Sequence, residues 1–104
     1  MKELIESAWS NRELLKEKQT REAVLAVIEE LDRGRLRVAE PSSSGWKVNE
    51  WVKKAVILYF PIMQMNVMEA GPMEFHDKIP LKKNYAHLKV RVVPHGIARY
   101  GSYL

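Results

Sequence analysis

The sequence predicts a small, mainly α-helical fold: three helices, a β-hairpin between the second and third, and irregular short hairpins after the third. Apolar residues recur at helical spacing in three segments, the period changes to two between residues 35 and 48, and neither pattern is clear after Met68. A length of 104 residues with 46% apolar and 29% charged residues suits one folded domain.

The first two helices are predicted by their apolar stripes. In the first, the residues at helical spacing are Leu4, Ile5, Ala8 and Trp9, and the pattern is expected to continue toward Leu15. The stripe of the second is Ala23, Val24, Val27, Ile28 and Leu31. We expect Thr20 to cap the second helix and Gly34 to end it.

The hairpin is predicted from residues 35 to 48, where polar and apolar residues alternate on both sides of "EPSSSG". Its first strand is expected to carry Arg35 and Arg37 on one face. These arginines of "RGRLR" could form an anion-binding edge, because guanidinium groups bind carboxylates and phosphates in pairs of hydrogen bonds. A solvated strand face is the favoured alternative.

The third helix is expected to begin after Asn49 and to end at Phe60, because Pro61 disfavours helical geometry in the residue before it. Its inward-facing residues are predicted to be Trp51, Val52, Ala55, Val56, Leu58 and Tyr59. Lys53 and Lys54 then lie on the opposite, polar side. We interpret them as ordinary surface lysines rather than a basic binding surface.

The remaining third of the chain carries turn residues at Gly71, Pro72 and Pro80, and residues 90 to 93 are expected to be extended. Arg91 lies between two valines that should point inward on the other face. The methionines at positions 63, 65, 68 and 73 are interpreted as filler of irregular core space. The alternatives are the lining of a promiscuous binding groove and a packing surface for a second domain or subunit.

Composition and motifs exclude several chemistries. With no cysteine, the chain has no disulfide and no thiol nucleophile. It has no glycine-rich phosphate loop and no G-x-S-x-G motif, and His76, His87 and His95 are too scattered for a spacing-defined metal site. A net charge of +4 favours an anionic partner: a nucleic acid, a phosphorylated cofactor or a dicarboxylate.

Localisation is predicted from what the sequence lacks. The amino terminus shows no signal-peptide pattern, and no apolar run reaches membrane-spanning length. We therefore expect a cytoplasmic protein without a membrane partner.

Four segments, "ELDRGRLRVAEP", "GWKVNEWVKKAVILYF", "FHDKIPLKKNY" and "VRVVPHGIARYGSYL", carry a family resemblance. In this order and spacing the chain resembles, over its whole length, the amino-terminal domain of the 2,3,4,5-tetrahydropyridine-2,6-dicarboxylate N-succinyltransferase family. The resemblance implies a helical amino-terminal domain, a following left-handed β-helix of hexapeptide repeats, and a trimer. We expect residues 1–93 to form the helical domain and residues 94–104 to lead into a β-helix that is missing from this chain.

The family resemblance also implies a function in lysine and diaminopimelate biosynthesis. Such enzymes transfer succinyl from succinyl-coenzyme A, their co-substrate, to tetrahydrodipicolinate at sites between subunits. Arg91 in "VRVVP" matches the family arginine that binds the dicarboxylate. The coenzyme groove and the catalytic acid of the family belong to the β-helix, so no catalytic, cofactor-binding or metal-ligating residue is assigned here. The chain alone is expected to be inactive.

Two alternatives to a transferase domain stay open from the residues. One is a stand-alone binding or assembly module derived from that domain. The other, weaker alternative is nucleic-acid binding through Arg33, Arg35, Arg37, Lys53 and Lys54, although the sequence has no recognised nucleic-acid-binding motif and we expect no nucleic-acid partner.

Overall fold

A computed structural model describes all residues, 1–104. Helix α1 spans Lys2–Ser10 and is followed by a 3₁₀ turn at Arg12–Lys16. Helix α2 spans Lys18–Asp32, and helix α3 spans Glu50–Ile62. The first hairpin, between α2 and α3, consists of β1 (Ala39–Ser42) and β2 (Gly45–Val48). The second consists of β3 (Asn66–Ala70) and β4 (Met73–Asp77), and a short helix α4 (Tyr85–Leu88) follows. No helix has both the length and the apolar character that crossing a membrane requires.

The core lies between α1, α2 and α3, which pack against one another. The largest of the fully buried apolar side chains there are Ile5, Val24, Val27, Ile28, Val52 and Leu58. The predicted stripes of all three helices are therefore confirmed as the buried faces. Burial of such a stripe is what stabilises helices of this length, since propensity alone does not.

Helix α1 ends earlier than predicted, because Asn11 interrupts it. This residue is extended, with φ −141° and ψ 97°, and its side chain accepts a hydrogen bond from the Glu13 amide at 3.2 Å. An asparagine competes well with the helical backbone through such local bonds. Leu15 still reaches the core, but from the separate 3₁₀ turn.

The two ends of α2 differ in how well the sequence predicted them. The predicted cap, Thr20, is wrong: it lies inside the helix and is buried, and Glu17 is the capping position. The predicted stop at Gly34 is confirmed. Gly34 has a φ of +74°. Its amide donates a hydrogen bond to the Leu31 carbonyl at 3.1 Å, and the Arg35 amide donates one to the Glu30 carbonyl at 2.9 Å. This is the Schellman arrangement that glycine favours.

The first hairpin lies further along the chain than predicted. Its register pairs Ala39 with Val48 and Ser42 with Gly45, so residues 35–38 are not a strand. Leu36 and Val38 instead pack against the core. The alternation of apolar residues at positions 36 and 38 therefore reflects burial of the segment that connects α2 to β1, not strand pairing.

Helix α3 begins at Glu50, directly after Asn49 as predicted, but its capping contact and its end differ from the prediction. The side chain of Asn49 does not cap the helix but donates to the Arg37 carbonyl at 2.7 Å, while its amide donates to the Val38 carbonyl. At the other end α3 continues through Pro61 to Ile62, so the predicted end at Phe60 is wrong. Packing of Ile62 against the core favours the extra turn over the local preference of the proline.

The second hairpin is more regular than expected, with an antiparallel register from Asn66 opposite Asp77 to Ala70 opposite Met73. The predicted extended piece at residues 90–93 forms no strand, and α4 was not predicted. The molecule measures 42 × 38 × 18 Å with a radius of gyration of 15.7 Å. A compact chain of this length has a radius of gyration of about 13 Å, so the molecule is flattened.

Candidate functional site

Arg91 lies in a long loop whose base is held by backbone hydrogen bonds. The Lys82 amide donates to the Ala98 carbonyl and the Tyr100 amide to the Pro80 carbonyl, both at 2.8 Å, with a bridge between Leu81 and Arg99. Residues 80–82 and 98–100 therefore pair in antiparallel fashion. We call the intervening residues 83–97 the Arg91 segment.

The Arg91 segment has its own local structure. Helix α4 lies between Asn84 and Lys89, and these two flanking residues have positive φ angles, 64° and 60°. The Val90 amide then donates to the Tyr85 carbonyl at 2.9 Å. Val90 and Val92 are partly buried, in agreement with the prediction that they point inward, and Arg91 is exposed. The local turn structure therefore presents the guanidinium to solvent.

Arg91 differs from most arginines of the chain in its contacts. Apart from Arg37 and Arg91, every arginine makes a side-chain hydrogen bond, an ion pair or a stacking contact with an aromatic ring. Arg37 and Arg91 are exposed and make none of these within the chain. Both guanidinium groups thus keep their donors for an external anion.

The other cations considered for binding have acidic partners in the chain. Arg33 pairs with Glu29, and Arg35 makes two bonds to Glu30 at 2.6 and 3.0 Å. The expectation that Arg35 and Arg37 share a strand face is wrong, because they precede β1.

The two lysines of α3 also have acidic partners. Lys53 lies 3.6 Å from Glu50, and Lys54 binds Glu6 of α1 at 2.8 Å. The Lys54 ion pair joins two helices. This agrees with the structural interpretation of the two lysines.

Two carboxylates at the end of α2 hold residues on both sides of the Arg91 segment. Asp32 Oδ1 accepts from Lys82 Nζ at 2.7 Å and from the Gly101 amide at 2.8 Å. Glu29 Oε2 accepts from the Tyr100 hydroxyl at 2.6 Å. The chain on both sides of the Arg91 segment is thereby attached to one helix end.

The pKa values of Glu29 and Tyr100, which are joined by a hydrogen bond, are both shifted. Donation from the Tyr100 hydroxyl, followed by the contact with Arg33, lowers the pKa of Glu29. Burial, followed by the bond to Glu29, raises the pKa of Tyr100 to about 12. Near neutral pH the pair is therefore a carboxylate with a neutral phenol, the combination that forms a charge-assisted hydrogen bond.

Sequence reasoning missed Asp32 and Glu29, although a signal was present. Glu29, Glu30 and Asp32 lie in the last turn of α2, where the helix dipole disfavours negative charge. Acidic residues in such a place indicate cationic or hydrogen-bonding partners elsewhere. The sequence did not reveal which residues these partners are, because Lys82, Tyr100 and Gly101 are at least 50 positions away.

The histidines are not brought together. His76 and Asp77 are adjacent in β4 and point to opposite faces, and Asp77 lies 3.6 Å from Arg99. Nowhere in residues 1–104 do three or more histidine or acidic side chains form a group that could hold a metal ion. The imidazole of His76 and the carboxylate of Asp77 therefore do not share a face of β4.

Apolar side chains remain exposed around the second hairpin. Met63 packs against the core, but Met65 and Met73 are 46% and 44% exposed, so the filler interpretation is wrong for these two. Met73 lines a groove of about 270 Å³ with Phe75, Leu81, Tyr85 and Ile97. Large apolar side chains exposed in one region indicate a packing surface.

Comparison with known proteins gives a consistent result. The profile of the family described as "Tetrahydrodipicolinate N-succinyltransferase N-terminal" matches residues 1–62. Relatives named 2,3,4,5-tetrahydropyridine-2,6-dicarboxylate N-succinyltransferase include proteins of Bordetella petrii, 44% identical over 96% of the chain, and Paraburkholderia phymatum, 44% identical over the whole chain. One from Coxiella burnetii is 40% identical over the whole chain. The chain spans 40%, 42% and 41% of these relatives.

Proposed function

The chain belongs to the tetrahydrodipicolinate N-succinyltransferase family, and from this membership we propose that it is the amino-terminal domain of an enzyme that succinylates tetrahydrodipicolinate. The reaction would serve lysine and diaminopimelate biosynthesis in the cytoplasm. The similarity of the whole chain to N-succinyltransferases is the observation that carries the proposal.

The chemistry is an acyl transfer in which the amino group of the ring-opened substrate attacks the thioester carbon of succinyl-coenzyme A. A carbon–nitrogen bond forms, the carbon–sulfur bond breaks, and the thiol of coenzyme A leaves. The reaction requires a positioned amine, a base for its proton and donors for the developing oxyanion. It requires no protein nucleophile. The chain contains no cysteine, and its sequence has no supported serine nucleophile.

The role that we assign to this domain in the reaction is substrate binding: Arg91 binds a carboxylate of the dicarboxylate substrate. A guanidinium forms paired, charge-assisted bonds with a carboxylate. The exposure of Arg91 and its lack of an internal partner support this assignment. The base, the oxyanion donors and the succinyl-coenzyme A groove belong to the part of the enzyme beyond this domain, and a homotrimer brings neighbouring subunits to each site.

The first experiment compares the 104-residue chain with a chimaera that joins it to the remaining length of the Bordetella petrii relative. Thiol release from succinyl-coenzyme A is measured with tetrahydrodipicolinate or its stable analogue 2-aminopimelate. We expect turnover in the chimaera and none in the chain alone. Turnover by the chain alone, or an inactive but folded chimaera, would contradict the proposal.

The Arg91 assignment is tested in the same chimaera with Arg91→Ala and Arg91→Lys. Lysine keeps the charge but not the bidentate geometry, so both variants should raise the KM for the dicarboxylate, alanine more strongly. The KM for succinyl-coenzyme A should stay unchanged. Arg37→Ala is the matched control, since Arg37 is also exposed and unpaired. Equal effects at both arginines would indicate a general charge effect instead.

A second candidate function is a binding or assembly module without transferase activity. The exposed apolar side chains around the second hairpin favour it, with Val67 and Ile97 each 57% exposed. Sedimentation of the chain alone distinguishes the two. A stable homo-oligomer that buries these side chains, combined with an inactive chimaera, would favour the module.

A further inference from the structure

We propose that Asp32 is a positioning residue for Arg91, because one of its carboxylate oxygens holds both ends of the Arg91 segment on helix α2. The inference extends the proposed function and depends on it only for the role of Arg91 itself. The attachment is a property of this chain and can be tested without substrate.

The geometry is a single acceptor with two donors. Asp32 Oδ1 accepts from Lys82 Nζ at 2.7 Å, just before the Arg91 segment, and from the Gly101 amide at 2.8 Å, just after it. The segment is therefore closed at one point in space. The backbone pairing of residues 80–82 with 98–100 joins its ends to each other, whereas Asp32 joins them to the helical core.

Burial makes this contact stronger than an ordinary surface ion pair. The side chains of Lys82 and Asp32 are only 16% and 17% exposed, whereas those of every other ion pair in the chain include at least one more than 40% exposed. Water competes less for such partly buried groups, and salt screens them less. Removing one partner also leaves the other buried without compensation.

Gly101 shows that the approach to α2 is close. Its φ is +106°, and a Cβ added there would lie 3.3 Å from Ile28 Cγ2. The absence of a side chain thus allows the amide to reach Asp32 over the surface of Ile28. A second attachment, from the Tyr100 hydroxyl to Glu29, lies one helical turn away and limits rotation about the first.

Attachment of the segment to α2 limits where Arg91 can lie. Its exposed guanidinium makes no contact that fixes it within the chain, so its position depends on the base of the segment. Substrate binding by an arginine on a loop gains affinity when the loop is ordered beforehand. Asp32 supplies this order from the helical core without touching the substrate.

The first test is limited proteolysis of the chain with trypsin, which can cut the Arg91 segment after Lys83, Lys89 and Arg91. Asp32→Asn keeps an acceptor for Gly101 but loses the charge, and Lys82→Met removes the other partner. Each should accelerate these cleavages about 10-fold, the usual effect of losing a hydrogen bond to a charged group. Cleavage in α3 after Lys53 should not change.

Glu30→Gln is the matched control. Glu30 lies in the same last turn of α2 and loses a bidentate ion pair with Arg35, but it contacts no residue of the segment or its base. It should leave cleavage of the segment unchanged. The positioning role is overturned if Asp32→Asn and Lys82→Met accelerate cleavage of the segment no more than Glu30→Gln does.

The second test uses the active chimaera and links positioning to function. Asp32→Asn should raise the KM for the dicarboxylate about 10-fold with kcat and the KM for succinyl-coenzyme A little changed, and it should add little to Arg91→Ala. If Arg91→Ala raises this KM and Asp32→Asn does not, the positioning role is wrong. If Arg91→Ala has no effect, the substrate contact fails instead, and the proteolysis result still decides whether Asp32 orders the segment.

Discussion

Residues 1–62 and residues 63–104 are built differently. Of the 13 buried residues, all but Ile79 lie in the first region, where three helices share one core. The second region has a two-stranded hairpin, one short helix and a loop. It is held to the first by hydrogen bonds, ion pairs and the packing of Ile79 and Tyr100 against the core. An isolated hairpin without a hydrophobic face to cover it is marginally stable. The second region therefore depends on the first for its order.

We expect the two regions to differ in what they contribute to stability and to the proposed function. The first region holds almost all of the buried side chains, whereas the second region carries Arg91 and the exposed apolar side chains around the second hairpin. Segments that bind ligands are commonly drawn from the less stable parts of a protein. We expect the four changes below to separate the two regions, in decreasing order of effect.

Leu58→Ala should have the largest effect on the free energy of unfolding. Leu58 is fully buried between the helices, and truncation of such a side chain costs about 2–5 kcal/mol. Val67→Ala in β3 is the control, because Val67 is 57% exposed. Chemical denaturation followed by circular dichroism measures both. Similar losses in the two variants would show that the regions do not differ in this way.

Gly34→Ala should lower the free energy of unfolding by about 1–2 kcal/mol, since a non-glycine residue at φ +74° is strained. A Cβ there would also lie 2.8 Å from the Tyr103 ring, which must move. Gly71→Ala has φ +62° and open space around it. Thermal unfolding of both variants should therefore show similar losses, and only Gly34→Ala should change the near-ultraviolet signal of Tyr103.

Tyr100→Phe should weaken the junction of the two regions in a manner that depends on pH. The pKa of Glu29 is lowered in the folded chain, so its contribution is present above its unfolded pKa of about 4.3 and is lost as the pH falls through the lower folded value. The difference in stability between Tyr100→Phe and the unchanged chain should shrink on acidification from pH 6 to pH 3.

The hydroxyl group of Tyr100 titrates at alkaline pH. Its pKa is raised to about 12, so the stabilisation that it contributes is lost as the pH rises from about 10, its unfolded value, through 12. The phenolate absorbance of the unchanged chain should contain a component near pH 12 that Tyr100→Phe lacks. A pH-independent difference between the two proteins would contradict the Glu29–Tyr100 contact.

Arg91→Ala should have the smallest effect on stability, within about 0.5 kcal/mol, because the side chain is exposed and unpaired. The same change should strongly weaken dicarboxylate binding in the active chimaera. Thermal unfolding and the KM measured together test this separation. A destabilised Arg91→Ala protein would show that Arg91 has a structural partner.

Several features were predictable because they depend on local patterns. The stripes of α1, α2 and α3 follow from helical spacing, and the end of α2 follows from Gly34. The extent of the first hairpin was not predictable, because residues 36 and 38 alternate in order to pack on the core rather than to pair. The end of α3 was missed for a similar reason, since packing of Ile62 overrides the local preference of Pro61.

The sequence by itself determined the three amphipathic helices, the family and the candidate Arg91, because periodicity and motif order are encoded in neighbouring residues. Only the tertiary structure decided that the end of α2 holds the base of the Arg91 segment. That contact joins Asp32 to residues 50 and 69 positions away. Such a pairing depends on how the chain closes a long loop, and no local pattern specifies which distant donor reaches a given carboxylate.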